Sequence, residues 1–306
     1  MVGLLFPGQG SQHVGMGADL AGNYPEARDT FAEADDVLGF ALSRTAWEGP
    51  ELELTATHNA QPALLTHSVA VLRVVGAKLG PVACAAGHSL GEFTAYVAAG
   101  SLAFADALRL VRHRGELMRH EGERRAGAMA AVIGLGDDQV AALCEEASGE
   151  AGICVPANYN SPLQVVISGD EAAVDAAMAL ARSAGARLVT RLNVSGAFHS
   201  PLMEPAVDGL AAHVRDVPFE NPRFPVLSNV DGRPVLDAKT AREALVRQLT
   251  SAVRWTDCVR AMPTCGAKRF FELGPGHVLG KLHKRIARGA AVQSVGAVAD
   301  VEALQG

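Results

Sequence analysis

The sequence predicts an α/β protein, a parallel sheet flanked by helices and interrupted by a smaller, inserted ferredoxin-like unit. Three observations carry that expectation. Residues 1–125 alternate short apolar runs with amphipathic segments. Residues 127–194 switch to a βαββαβ order, and strand and helix signals resume beyond them.

In the first part, "VGLLF" (2–6) and "VACAAG" (82–87) are unbroken apolar runs of strand length, as in a sheet covered on both faces. Between and after them, "PEARDTFAEADDVL" (25–38), "PALLTHSVAVLRVVGAKL" (62–79) and "DALRLVRHRGELMRH" (106–120) have helical periodicity. In the middle part, "GAMAAVIGL" (127–135), "ICVPANYN" (153–160), "QVVISG" (164–169) and "ARLVTRLNV" (186–194) read as strands. "DDQVAALCEEAS" (137–148) and "DEAAVDAAMALARSAG" (170–185) read as the two helices between them. Beyond this unit, "FPVLSNV" (224–230), "REALVRQLT" (242–250), "RFFELG" (269–274), "HVLGKLHKRIARG" (277–289) and "AVQSVG" (291–296) restore the first pattern.

Composition narrows the function. The chain has 306 residues, 49% of them hydrophobic, and a formal net charge of −6, which gives no reason to expect nucleic acid as a partner. The most apolar stretch, "SVAVLRVVGAKL" (68–79), is interrupted by Arg73 and Lys78, so no membrane span is expected. "MVGLLFPGQG" lacks the basic leader of a signal peptide. Cys84, Cys144, Cys154, Cys258 and Cys265 show no CxxC spacing and read as reduced thiols, with no structural metal and a cytoplasmic location.

Chemistry concentrates at "GHSLG", Gly87–Gly91, a G-x-S-x-G match between a strand and a helix. A nucleophile on a tight strand-to-helix turn occupies a strained backbone position, and the glycines let neighbouring chain pass close. The turn also aims the first amides of the helix at an attacked carbonyl. A serine N-cap opening an ordinary helix is the competing reading of the same residues. Serine needs a base to accept its proton. Of ten histidines, His199 in "NVSGAFHSPLM" (193–203) is the best placed, in a loop at the seam of the two units with apolar neighbours that pack it down. No aspartate stands out to orient it.

One helix contains a misfit. Arg114 neighbours Leu110, Val111, Leu117 and Met118, so a guanidinium lies in the middle of an apolar face. A buried cation needs an anion, which is either a protein carboxylate or the carboxylate of a substrate.

With "FPGQGSQ" (6–12), "GHSLGE" (87–92), "GAFHS" (196–200) and "ELGPG" (272–276), the chain resembles malonyl-CoA:acyl carrier protein transacylases over nearly its full length. "QPALL" (61–65), "ANYNSPLQVVISG" (157–169), "SNVDGRPV" (228–235) and "QLTSAVRWTD" (248–257) extend the resemblance. The resemblance implies a discontinuous α/β-hydrolase-like large domain (1–126 and 195–306) around a ferredoxin-like small domain (127–194). It also implies Ser89 as nucleophile, His199 as general base, Gln9 and Leu90 as oxyanion-hole amides, and a Gln248 carbonyl orienting the histidine. Arg114 would bind the malonyl carboxylate beside Met118, with Phe198 crowding an α-methyl branch.

The implied partners are malonyl-CoA, as substrate, and an acyl carrier protein, with no cofactor and a monomeric enzyme. Carrier proteins are usually acidic, and Lys281, Lys284, Arg285 and Arg288 recur at one helical stripe suited to such a contact or to plain solvation. An editing thioester hydrolase could use the same serine and histidine, although a hydrolase of plain acyl chains has no use for a buried cation. A catalytically silent docking module would not need the serine, histidine and arginine together. A nucleotide-binding enzyme is disfavoured, because "GQGSQH" (8–13) lacks the third glycine of G-x-G-x-x-G.

Overall fold

Val2–Phe6 forms the first strand, β1, and all five residues are buried, as expected of an apolar run covered on both faces. The following strands are β2 (Val82–Gly87), β3 (Gly127–Ile133), β4 (Cys154–Ser161), β5 (Gln164–Asp170) and β6 (Leu188–Arg191). After them come β7 (Val226–Leu227), β8 (Pro234–Val235), β9 (Arg269–Leu273) and β10 (Val292–Val295). The computed structural model describes residues 1–194 and 196–304.

The strands form two sheets in a mixed α/β architecture. The larger runs β10-β9-β1-β2-β7-β8 and is parallel except for the β7–β8 pair. The smaller runs β4-β5-β3-β6 and is antiparallel throughout, with the helices Asp137–Ala147 and Glu171–Ser183 packed on it around their own apolar core. Backbone bonds tie β4 of the smaller sheet to the segment just before the helix Trp255–Ala261. Tyr159 N–H donates to the Val253 carbonyl at 2.9 Å, and Val253 N–H returns to Ala157 at 2.8 Å.

Two expectations need correction. The helix expected from Pro62 runs from Thr57 to Leu79, five residues earlier. Pro62 cannot donate to the His58 carbonyl, and Arg112 Nη1 donates to that oxygen instead, at 3.1 Å. The orphaned acceptor is thereby satisfied inside the helix. The same extension gives 23 residues long and apolar enough to cross a membrane by length and composition, although Arg73 and Lys78 had argued against any span. Of its most apolar window, 67% is buried against the rest of the protein. That is how a central core helix packs.

The turn after β2 is the tightest point in the fold. A Cβ on Gly87 would lie 1.9 Å from the Gly91 backbone, and one on Gly91 would lie 2.1 Å from the Phe6 carbonyl oxygen. Only glycine permits that approach. It lets the helix Leu90–Ala98 start hard against β1 and β2, with Ser89 between them at φ 51° and ψ −107°. Gly91→Ala should therefore destabilise by at least roughly 1–3 kcal/mol, the usual range for overpacking. Gly76→Ala, where an added Cβ meets nothing within 4 Å, should stabilise by roughly 0.5–1 kcal/mol. Chemical denaturation checks both, and equal behaviour of the two variants would show that the turn is not close-packed.

Candidate active site

Ser89 sits at the carboxyl end of β2, where sites gather in open parallel sheets. Its Oγ lies 2.7 Å from His199 Nε2. His199 reaches this point from a loop in which it too holds positive φ, 57°. Its Nδ1–H donates to the Gln248 carbonyl at 3.0 Å and to the Ser251 carbonyl at 3.2 Å. With Nδ1 protonated, Nε2 is the acceptor and faces the hydroxyl. Burial, reinforced by the Arg114 charge and only partly offset by the two carbonyls, pushes the imidazole down to about 3. At neutral pH it is an unprotonated base. The expected absence of an aspartate is thus met by main-chain oxygen.

Arg114, 1% exposed, reaches the same point from the helix Phe104–Arg124. Its Nη2 donates to Ser89 Oγ at 3.2 Å and to Gln248 Oε1 at 2.9 Å, and Nη1 donates to Gln61 Oε1 at 2.7 Å. These partners are a hydroxyl and two neutral amides. Among the described residues no carboxylate forms an ion pair with this guanidinium, so the structural salt bridge weighed above does not exist.

Gln9, Ser89, Leu90, Arg114, Met118, Phe198 and His199 line one cavity of about 360 Å³, joined from the smaller sheet by Met129 and Asn158. Gln248 lies behind its wall, fully buried. The Gln9 side chain is pinned by Thr57 Oγ1, which donates to its Oε1 at 2.9 Å. The Gln9 and Leu90 amides have no acceptor among the described residues. They are two donors without a partner on residues that line the same cavity as the hydroxyl, and an oxyanion needs donors of that kind. His88 turns away, its Nε2 2.8 Å from Asn160 Oδ1. Among the described residues no three His, Cys, Asp or Glu side chains cluster as metal ligands would.

Sequence reasoning missed Gln61, Asn229 and Ser251. Asn229 Oδ1 accepts the Ser89 N–H at 2.7 Å, while its Nδ2 donates to the Gly87 carbonyl at 2.8 Å, clamping the turn on both sides. Its signal was a polar residue just past a sheet strand. Gln61 was legible as a polar residue on an otherwise apolar helix face.

Lys281, Lys284, Arg285 and Arg288 lie together along a second cavity of about 910 Å³, with Arg187 of the smaller unit opposite. The helix ends at Ile286, so the expected stripe stops at Arg285 and Arg288 follows from the loop. Arg285 Nη1 donates to Gln164 Oε1.

A hydroxyl bonded to a neutral imidazole, free amides and a buried cation with no carboxylate contact among the described residues fit an acyl-transferring class of protein on this α/β scaffold. The acyl transferase domain family matches residues 4–302. The malonyl CoA-acyl carrier protein transacylase of Escherichia coli K12 is 48% identical over 283 residues, covering 92% of this chain and 91% of that protein. The crystal structure of an acyl carrier protein S-malonyltransferase from Vibrio cholerae superposes with a TM-score of 0.95 at 44% identity, covering 99% of both chains. A malonyl-transacylase solved in complex with a type II PKS acyl-carrier protein gives 0.94 at 43% identity, over 99% of this chain and 98% of that one. The chain belongs to the malonyl-CoA:acyl carrier protein transacylase family.

The buried imidazole sets a pH test. Sulfonyl fluoride should modify Ser89 at a rate that stays flat from about pH 5 to about pH 8, because His199 remains unprotonated throughout. An inflection near the ordinary histidine value of 6.5 would show that burial does not hold the base neutral.

Proposed function

We propose that the protein moves malonyl groups from malonyl-CoA to the phosphopantetheine thiol of an acyl carrier protein through a malonyl-Ser89 ester. His199 takes the Ser89 proton as Oγ attacks the thioester carbonyl. The Gln9 and Leu90 amides hold the oxyanion, and CoA leaves as its thiol with the proton from His199. The carrier thiol then attacks the ester, gives its proton to His199, and Ser89 recovers the hydrogen. No cofactor is called for.

One observation carries the reading: a buried guanidinium 3.2 Å from the nucleophile and without a carboxylate partner among the described residues. It leaves a charge for the free carboxylate of a diacid, gripped so that the thioester end falls on Ser89. Phe198 and Met118 line the same cavity and limit bulk at the α-carbon. The names of the relatives point the same way, and neither they nor the buried cation favours an editing hydrolase.

The basic groove of Lys281, Lys284, Arg285 and Arg288 is the proposed dock for the acidic carrier. The strand order and antiparallel pairing of the smaller sheet support a ferredoxin-like domain over 127–194. The parallel sheet and serine turn support an α/β-hydrolase-like domain over 1–126 and 195–306. A monomer acting in the cytoplasm completes the proposal.

Mass spectrometry of the acyl-enzyme tests it. Wild type should load malonyl in preference to acetyl on Ser89. Arg114→Ala should lose malonyl loading relative to acetyl by roughly ten- to hundredfold, the value of hydrogen bonds to a charged group. Equal losses for both acyl groups would sink the carboxylate-binding role. For the dock, Lys284→Glu should raise KM for the carrier several-fold, and carrier kinetics matching wild type would rule the groove out.

A further inference from the structure

Glu92 is fully buried, three residues beyond Ser89 in the first turn of its helix, and the transfer chemistry leaves it unused. Its Oε2 accepts from Gln248 Nε2 at 2.6 Å and from the Asn229 N–H at 3.2 Å. Those two amide residues are the ones that hold the nucleophile. Asn229 Oδ1 takes the Ser89 N–H at 2.7 Å, and Gln248 Nε2 also donates to the Ser89 carbonyl at 3.0 Å. The strained serine is therefore gripped at both its backbone groups by two residues that also bond one carboxyl, Gln248 through its side chain and Asn229 through its backbone N–H.

Gln248 also spans two charges. While its Nε2 meets Glu92, its Oε1 accepts from Arg114 at 2.9 Å. The buried Arg114 guanidinium and this buried carboxyl are thus joined through one neutral amide, without contact. We propose that Glu92 is a positioning residue that fixes Ser89 and Arg114 through Asn229 and Gln248, and that it is the counter-charge which the free carboxylate of the substrate supplants. The inference rests on the reading of Arg114 as the malonyl carboxylate site. When that carboxylate arrives, two anions act on one buried guanidinium, and the anion without a direct bond to Arg114 takes up a proton.

The surroundings allow it. Burial pushes the Glu92 carboxyl up to about 7, and the bonds from Gln248 and Asn229 and the charge of Arg114 only partly pull it back. The other groups that act on it are Asp231, beyond β7, which raises it further, together with the Tyr96 phenol and the Cys258 thiol. Both of the latter are pushed well above their ordinary values and are neutral near pH 7. Its second oxygen, Oε1, has no hydrogen-bond partner among the described residues, a place where a proton can reside.

The sign follows. Protonated Glu92 favours an acyl group that carries a free carboxylate, and ionised Glu92 opposes it. As pH rises through about 7, the ratio of kcat/KM for malonyl-CoA to that for acetyl-CoA should fall, by up to about tenfold for one unit of coupling. The ratio cancels titrations of CoA, of His199 and of the leaving thiol, which both substrates share. Glu92→Gln keeps an acceptor for Gln248 and Asn229 but cannot ionise, so its ratio should be independent of pH and exceed that of wild type on the alkaline side. A merely structural role would move both substrates together and leave the ratio alone. A wild-type ratio that does not change with pH, or the same slope in Glu92→Gln, overturns the inference while leaving malonyl transfer intact. A wild type that shows no preference for malonyl at any pH overturns the reading of Arg114, and this inference with it.

Discussion

The contact on which the rest depends is the approach of Gly91 to β1 and to Gly87. Because Phe6 pairs with Gly87 across the parallel sheet, the loop that follows β1 lies beside the first turn of the helix that follows β2. His88 N–H donates to the Phe6 carbonyl at 3.0 Å, which ties the two loops together. That closeness brings Gln9 and Leu90, from different strands, to one small volume. It also forces Ser89 into a backbone region that an L-residue occupies only when its surroundings over-determine it. The surplus bonding is present in Asn229 and Gln248, which hold the Ser89 N–H and carbonyl from opposite sides.

The second organising feature is a buried charge that no carboxylate contacts among the described residues. A guanidinium inside a protein is normally stabilised by a carboxylate, and the pair is then inert toward a third party. Here Gln61, Gln248 and a hydroxyl solvate Arg114 with oxygen dipoles. Burial lowers its pKa only to about 10, so it keeps its proton at neutral pH. Gln61 is itself fixed, its Nε2 donating to Thr57 Oγ1 at 2.9 Å, and Thr57 in turn pins Gln9. Arg114 and Gln9 are therefore linked through a single chain of hydrogen bonds.

Much of this was legible in the sequence because it follows from local rules. Val2–Phe6 and Val82–Gly87 were visible as unbroken apolar runs, and Arg114 as a cation on a helix face of leucine, valine and methionine. The pairing of Ser89 with His199 was suggested by the residue types and by family resemblance, since nothing local links positions 110 apart. The start of the helix at Thr57 was hidden because Pro62 reads as a helix beginning, and the residue that excuses it, Arg112, is distant in sequence. Asn229 and Gln61 were visible only as polar residues in apolar settings, and what they do was hidden for a related reason. A buried amide is recognisable only by its partners, and these come from other elements.

The absence of a carboxylate behind His199 then has a physical reason. An aspartate on Nδ1 would raise the imidazole pKa and place an anion close to Arg114, where it would compete with the carboxylate of a diacid for the same cation. Main-chain carbonyls at Gln248 and Ser251 fix the same tautomer with dipoles alone. The site thus keeps its guanidinium clear of direct carboxylate contact among the described residues while still orienting the imidazole. Gln248 serves both ends of that arrangement, its backbone oxygen holding the histidine and its side chain the arginine. A residue that must present a carbonyl to one partner and an amide oxygen to another can be neither acidic nor apolar, and glutamine in this register satisfies both.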